Sequence, residues 1–374
     1  MGVNRFDGAT NIPELDVVNS IGIAGLADGR DIYIPVNHLA IFGDIAGQSD
    51  VPPEKIVLVL DRGVEPTDEN LGRIAALKVQ GFRIAFREIS PADFGHYRRI
   101  FKLTDILFLD YGEKNMAATR QFVEKYFPDV RVLVSGISTQ EEFDDAREDV
   151  KTEYFEGNFF KVPSAENDTE VSPLKATYIQ LLNVVNQPDF DLTDASKVIG
   201  QDAALVVSLL EMVNRMTVNK GINSVNMAAA MLGQRELQLW INTAVTRELC
   251  SDKPSEVMRL SMIRAKFFEN LAPVFSLAPK RSELFLLGMF SLLNVMLDLP
   301  MEEALKKVKV DKEIENALLN AAGPLYPVYT FALDYELASW AEVSRQILVG
   351  NLDEAAIYKA YLDALQWYRD ILGK

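Results

Sequence analysis

A chain of 374 residues carries 38 lysines and arginines against 54 acidic residues, giving a formal net charge of −16 and a pI near 4.7. This argues against a nucleic-acid groove binder, which needs clustered basic side chains that are not found here. One cysteine, Cys250, rules out an internal disulfide and fits a reducing compartment. The only histidines, His38 and His96, leave no imidazole beyond residue 96.

The length suggests two domains, each able to bury its own core. The N-terminal Met1–Asp7 lacks the apolar core of a signal peptide, so a cytoplasmic location without membrane attachment is expected. Residues 1–55 suggest one or two strands, around Ile21–Ala24 and Ile32–Val36. Apolar runs then follow at Ile56–Leu60, Phe82–Phe86, Asp105–Leu109 and Arg131–Val134, at the spacing of successive βα units. Near-continuous hydrophobicity predicts parallel strands covered on both faces.

The segments between them predict helices. Asp68–Lys78 places Leu71, Ile74, Ala75 and Leu77 on one side, and Ser138-Thr-Gln-Glu-Glu142 supplies a cap and an acidic first turn. The acidic run Glu141–Asp149 opens that helix, where carboxylates oppose the macrodipole, although a docking surface is the other reading.

The polar, proline-bracketed stretch Pro163–Pro173 reads as a linker, after which only helical patterns occur. They run over Leu174–Asn186, Leu192–Gly200, Asp202–Met216, Met227–Leu232 and Arg235–Leu249, then from Ser255 to the end, with Asp202 as an N-cap. Leu284–Leu297 reads as one core helix, being shorter than the about 20 apolar residues that span a bilayer. Trp340, Trp367 and Tyr368 read as core and helix-packing residues. Residues 1–170 hold 30 acids against 18 bases, so most of the net charge lies in the α/β half.

The helical half resembles an HDOD domain, a signalling module related to the HD phosphohydrolases. The resemblance rests on Val171-Ser-Pro-Leu174, Leu181–Asp189, Ile199–Asn214, Gly221–Val225 and Leu232–Trp240, in family order. Many members keep a Gly-Leu-Leu-His-Asp-like relic of a metal site. Here the stretch is Leu287-Gly-Met-Phe-Ser-Leu-Leu-Asn294, with Ser291 and Leu292 in place of the His and Asp.

With that partner, the first half resembles a shortened EAL domain, the cyclic di-GMP phosphodiesterase fold. The matching segments are Val57–Gly63, Gly81–Ile89, Asp105–Asp110, Val134–Thr139 and Phe155–Pro163. The resemblance implies oxygen ligands for two divalent cations and a base. Instead, the ligand and base positions hold Val59, Arg87, Glu88, Phe108, Ser135 and Ser138; Asp110 survives, and no Glu-x-Leu signature occurs in the first 50 residues. Arg87 would repel the cations.

Asp61 and Asp110 end apolar runs, as phosphoacceptor aspartates do, but the remaining receiver residues are absent and loop capping is the simpler reading. His38 and His96 read as hydrogen-bonded surface groups, and Arg98 and Arg99 as a solvated helix face.

These readings combine into a two-domain signalling protein: a shortened EAL-like β/α barrel over residues 1–165, trimmed or partly open, then an HDOD helical bundle over 166–374. The expected role is a non-catalytic regulator or scaffold contacting other signalling proteins or a second copy of itself, with no catalytic residue, metal or cofactor. A second reading is a cyclic di-GMP receptor that binds without hydrolysis, its ligand near Arg87, Glu88, Phe108 and Asp110. A third, an active phosphodiesterase, would need the missing ligands.

Overall fold

The computed structural model describes residues 12, 15, 31–88, 90–112, 116–150, 152, 154–163, 173–187, 190–216, 221–337 and 339–372. The chain divides into two compact units, at Val162/Pro163. The strand expected around Ile21–Ala24 and most of the linker lie outside the described residues.

Among the described residues the first unit holds six strands: β1 (Ile32–Pro35), β2 (Ile56–Leu60), β3 (Arg83–Phe86), β4 (Ile106–Asp110), β5 (Arg131–Ile137) and β6 (Tyr154–Gly157). They form one wholly parallel sheet in chain order, β1-β2-β3-β4-β5-β6. Four helices lie between strands: α1 (Asp68–Val79), α2 (Phe94–Phe101), α3 (Met116–Tyr126) and α4 (Gln140–Val150). Parallel neighbours need crossover connections, and repeated crossovers of one hand add each strand beside the last. The result is a half-barrel sheet; no β1–β6 pairing closes it among the described residues.

Alternation along the strands separates two apolar layers. Leu58, Leu60, Ile84, Phe86, Leu107 and Val134 pack with Ile74, Leu77, Phe101 and Val123 of the helices. The opposite face carries a smaller buried cluster of Val57, Val59, Ala85, Ile106, Phe108 and Leu133, flanked by Tyr33 and Tyr154. Every residue of β2 is buried, as its unbroken hydrophobicity requires.

Local chemistry sets the helix starts. The Thr67 hydroxyl accepts from the Asn70 N–H at 3.2 Å to cap α1. At α4 the cap is Thr139: its hydroxyl accepts from the Glu142 N–H at 3.2 Å, while the Glu142 carboxylate accepts from the Thr139 N–H at 3.3 Å. This reciprocal pair is a capping box.

The second unit is helical: α5 (Pro173–Val185), α6 (Leu192–Ile199), α7 (Ala203–Met216), α8 (Val225–Leu249), α9 (Ser255–Leu271), α10 (Arg281–Phe290), α11 (Leu293–Leu297), α12 (Met301–Lys307), α13 (Lys312–Leu319), α14 (Tyr326–Glu336), α15 (Trp340–Gly350) and α16 (Glu354–Leu372). Phe268, Leu271, Leu284, Leu287, Phe331 and Ala364 belong to its core. Asp202 caps α7, accepting from the N–H groups of Ala204 at 2.8 Å and Leu205 at 3.0 Å. α8 is interrupted at Gly233, whose φ of 73° suits a residue without a Cβ.

Two expectations need correction. Leu284–Leu297 is not one helix: α10 stops at Phe290 and α11 starts at Leu293. Apolar content marked the whole stretch as buried but did not encode the break, at which the Ser291 hydroxyl donates to the Gly288 carbonyl at 2.7 Å. Trp340 is 52% exposed rather than core; its ring meets Tyr335 edge-on at 5.4 Å. No helix among the described residues is long and apolar enough to cross a membrane.

Candidate functional site

The carboxyl ends of parallel strands are where α/β sheets gather functional groups, because loops diverge there from a rigid scaffold. Along the face that carries Val59, Ala85 and Phe108, the two-residue period continues to Asp61, Arg87 and Asp110.

Asp61 and Asp110 are held in the same way. Asp61 Oδ1 accepts from the Gly63 N–H at 2.7 Å, and Asp110 Oδ1 from the Gly112 N–H at 2.8 Å. Each carboxylate therefore shapes the loop leaving its strand, as the capping reading anticipated. Gly136, at φ +78°, admits the Asp110 carboxylate: a Cβ there would sit 3.3 Å from Oδ2. His38 lies beside the Asp61 turn, its Nδ1 3.8 Å from the position a Gly63 Cβ would take.

Arg87 follows β3, its N–H donating to the Leu60 carbonyl at 2.9 Å. Its guanidinium lies over the Phe108 ring at 5.6 Å and 3.7 Å from Glu156 of β6. Phe108 is 4% exposed and meets Tyr33 edge-on at 6.2 Å. It therefore supports the arginine from below and offers no free stacking face. Glu88, at φ +58°, occupies the left-handed region that a residue with a side chain enters at a cost. Arg62 helps to hold it, donating Nε–H to the Glu88 carbonyl while pairing with Asp93 at 2.8 Å. The Ser90 N–H foremost, then the Ser90 hydroxyl and Arg62, keep the Asp93 carboxyl below its usual range against desolvation.

Arg87 and Glu88 after β3 and Asp110 at the end of β4 are thus accessible at the carboxyl ends of adjacent strands, and Phe108 lies beneath the Arg87 guanidinium. Sequence reasoning missed Arg62 and Glu156. The signals for them were their places inside the matching segments Phe155–Pro163 and Val57–Gly63, Arg62 directly after Asp61. Of the remaining surface groups, His96 pairs with Glu65 at 2.7 Å and Arg99 with Asp68 at 2.5 Å, outside this cluster.

In the helical unit, Ser291 accepts from Arg264 Nη1 at 3.0 Å, and the same guanidinium grips Glu336 through Nε at 2.6 Å and Nη2 at 2.9 Å. A buried arginine of α9 therefore occupies the neighbourhood of the metal-relic stretch. The sequence did not reveal it, because its carboxylate partner is 72 positions away.

Residues 171–318 match the model of the HDOD domain. The chain carries an HDOD domain. Two curated relatives extend beyond it. "Cyclic di-GMP phosphodiesterase CdgJ" of Vibrio cholerae is 29% identical over 328 residues, covering 86% of this chain and 75% of its own. The "Uncharacterized protein YuxH" of Bacillus subtilis is 26% identical over 368 residues, covering 95% of this chain and 88% of its own. Both alignments are longer than either unit, so each relative shares the α/β unit as well as the HDOD unit. No solved structure matches.

The expectation of a non-catalytic regulator is corrected by the first relative. A protein related across both units is named as a cyclic di-GMP phosphodiesterase. Eroded ligand positions were therefore too narrow a basis for assigning a scaffold role.

Proposed function

We propose that this chain acts on cyclic di-GMP, with the carboxyl edge of its parallel sheet as the place where the dinucleotide engages and the α/β unit read as EAL-type. The observation that carries this is the relationship to CdgJ across both units. The geometry adds a partly exposed guanidinium, Arg87, whose planar fork matches a phosphodiester and whose present partner, Glu156, is 3.7 Å away.

The residues do not fit the two-cation centre of such hydrolases. No group of three or more His, Cys, Asp or Glu able to hold a metal occurs among the described residues, and Asp61 and Asp110 each commit an oxygen to a backbone N–H. The assignable part is recognition: Arg87 anchors a phosphate, Phe108 supports the guanidinium, and Arg62 fixes the Glu88 backbone beside it.

The test is a calorimetric titration of the full chain with cyclic di-GMP, with and without magnesium or manganese, while chromatography follows the linear dinucleotide. Saturable heat that Arg87→Ala weakens at least tenfold is expected, a charged contact being worth roughly 1.5–3 kcal/mol. Linear product would place turnover at the same edge. The absence of both heat and product would overturn the proposal.

A further inference from the structure

Arg87 follows β3 and Glu156 lies in β6, so the ion pair between them crosses β4 and β5, with the guanidinium above Phe108. Local sequence aims the Glu156 carboxylate there. Phe155 packs on the helix-covered side of the sheet, its ring 4.8 Å from that of Phe143 in α4, and alternation turns Tyr154 and Glu156 to the opposite face. Gly157 runs so close to β5 that a Cβ would fall on the Ile137 carbonyl oxygen, and the Asn158 N–H donates to that same oxygen at 2.8 Å. The backbone on both sides of Glu156 is therefore fixed, while its side chain is 48% exposed.

The pair itself is loose. At 3.7 Å it is an electrostatic contact without a hydrogen bond, and no hydrogen bond holds the Glu156 carboxylate among the described residues. Asp61 and Asp110, the neighbouring acids of this edge, each fold a loop through a backbone N–H. Glu156 has no such task, so its carboxylate can leave without disturbing a turn. A phosphate oxygen meets a guanidinium at about 2.7–2.9 Å, often through two parallel hydrogen bonds. Exchange of carboxylate for phosphate thus improves the contact and needs only a rotation of the Glu156 side chain.

We infer that Glu156 is a displaceable counter-ion: it holds the Arg87 fork when no ligand is present, yields it to an arriving phosphodiester, and so sets how strongly an anion must bind to engage this edge. This role rests on the cyclic di-GMP reading of the same edge. Only molecules with an open fork bind, so the carboxylate lowers affinity by about twofold to fivefold, the reach of an exposed ion pair.

The test is a calorimetric titration of the full chain with cyclic di-GMP in the wild type, Glu156→Gln, Arg87→Ala, the double variant and Asp110→Asn. Unchanged melting by circular dichroism confirms that each variant is folded. Glu156→Gln, which keeps the shape and removes the charge, should tighten binding about twofold to fivefold. In the Arg87→Ala background the same change should give no gain, because the fork it frees is absent. Asp110→Asn removes an equal charge from the edge and should give a smaller gain. Saturable wild-type binding that Glu156→Gln leaves unchanged or weakens would overturn this role alone. A gain that persists without Arg87, or is matched by Asp110→Asn, would reduce Glu156 to one charge among several and overturn it too. Absence of binding by both the wild type and Glu156→Gln would remove the cyclic di-GMP reading together with it.

Discussion

The Arg264–Glu336 pair offers a sharp energetic test. The two side chains are 9% and 20% exposed and share two charge-assisted hydrogen bonds, with a third from Arg264 to Ser291. Glu336→Gln keeps the shape but leaves a guanidinium buried against a neutral amide. Breaking one side of a buried pair costs about 3–5 kcal/mol, whereas replacing both partners with apolar groups is often close to neutral. The partial exposure of Glu336 puts the single variant at the lower end, about 3 kcal/mol, or roughly 6–12 °C in melting temperature for a unit of this size. The double variant Arg264→Met/Glu336→Leu should recover most of that loss. Trp240, Trp340 and Trp367 all lie in the helical unit, so tryptophan fluorescence reports its unfolding without interference from the sheet. A Glu336→Gln cost below about 1 kcal/mol, or a double variant no better than the single, would refute the reasoning.

Three further outcomes are expected. Gly157→Ala should disrupt the β5–β6 edge, because its Cβ would fall on the Ile137 carbonyl oxygen; loss of amide protection confined to those strands on hydrogen exchange would show it. Burial raises the carboxyl pKa of Asp202, but the N–H of Leu205, the Tyr178 hydroxyl and the N–H of Ala204 outweigh it, so the folded value lies below the unfolded one. The stabilisation is then complete above the unfolded carboxyl range and lost as pH falls through the folded value, so the helical unit should weaken below about pH 4, less steeply in Asp202→Asn, as acid titration by fluorescence will read. Cys250, its thiol pushed up to about 12 by burial, should resist maleimide at pH 8 until the unit unfolds, which mass spectrometry can follow.

Strands β2 to β5 were legible because each is a short apolar run, and a run buried on both faces leaves no ambiguity of phase; β6, half-buried and carrying Glu156, offered no such run. Asp202 was legible as a cap because capping depends on residues two and three positions away. The break between α10 and α11 was not, since Leu284–Leu297 is apolar on both sides of it and hydrophobicity encodes burial rather than direction. Trp340 was misread for a related reason: a large ring placed in an amphipathic pattern does not say whether a neighbour covers it. At the carboxyl edge, Arg87, Glu88, Phe108 and Asp110 were found by position, but the roles of Phe108 as a floor and Glu156 as the arginine's counter-charge depend on strands brought together only by the sheet. The function was misjudged because missing ligands were weighed residue by residue, without the relationship that spans both units.

The backbone turns at Asp61 and Asp110 bear on how mutagenesis of this edge is to be interpreted. Each carboxylate folds its own loop, so an alanine at either position removes a conformational latch together with a charge. Asparagine keeps an acceptor of the same reach and changes the charge alone. The difference between the asparagine and alanine variants, rather than either by itself, therefore separates a group that meets the dinucleotide from one that only shapes the rim around it.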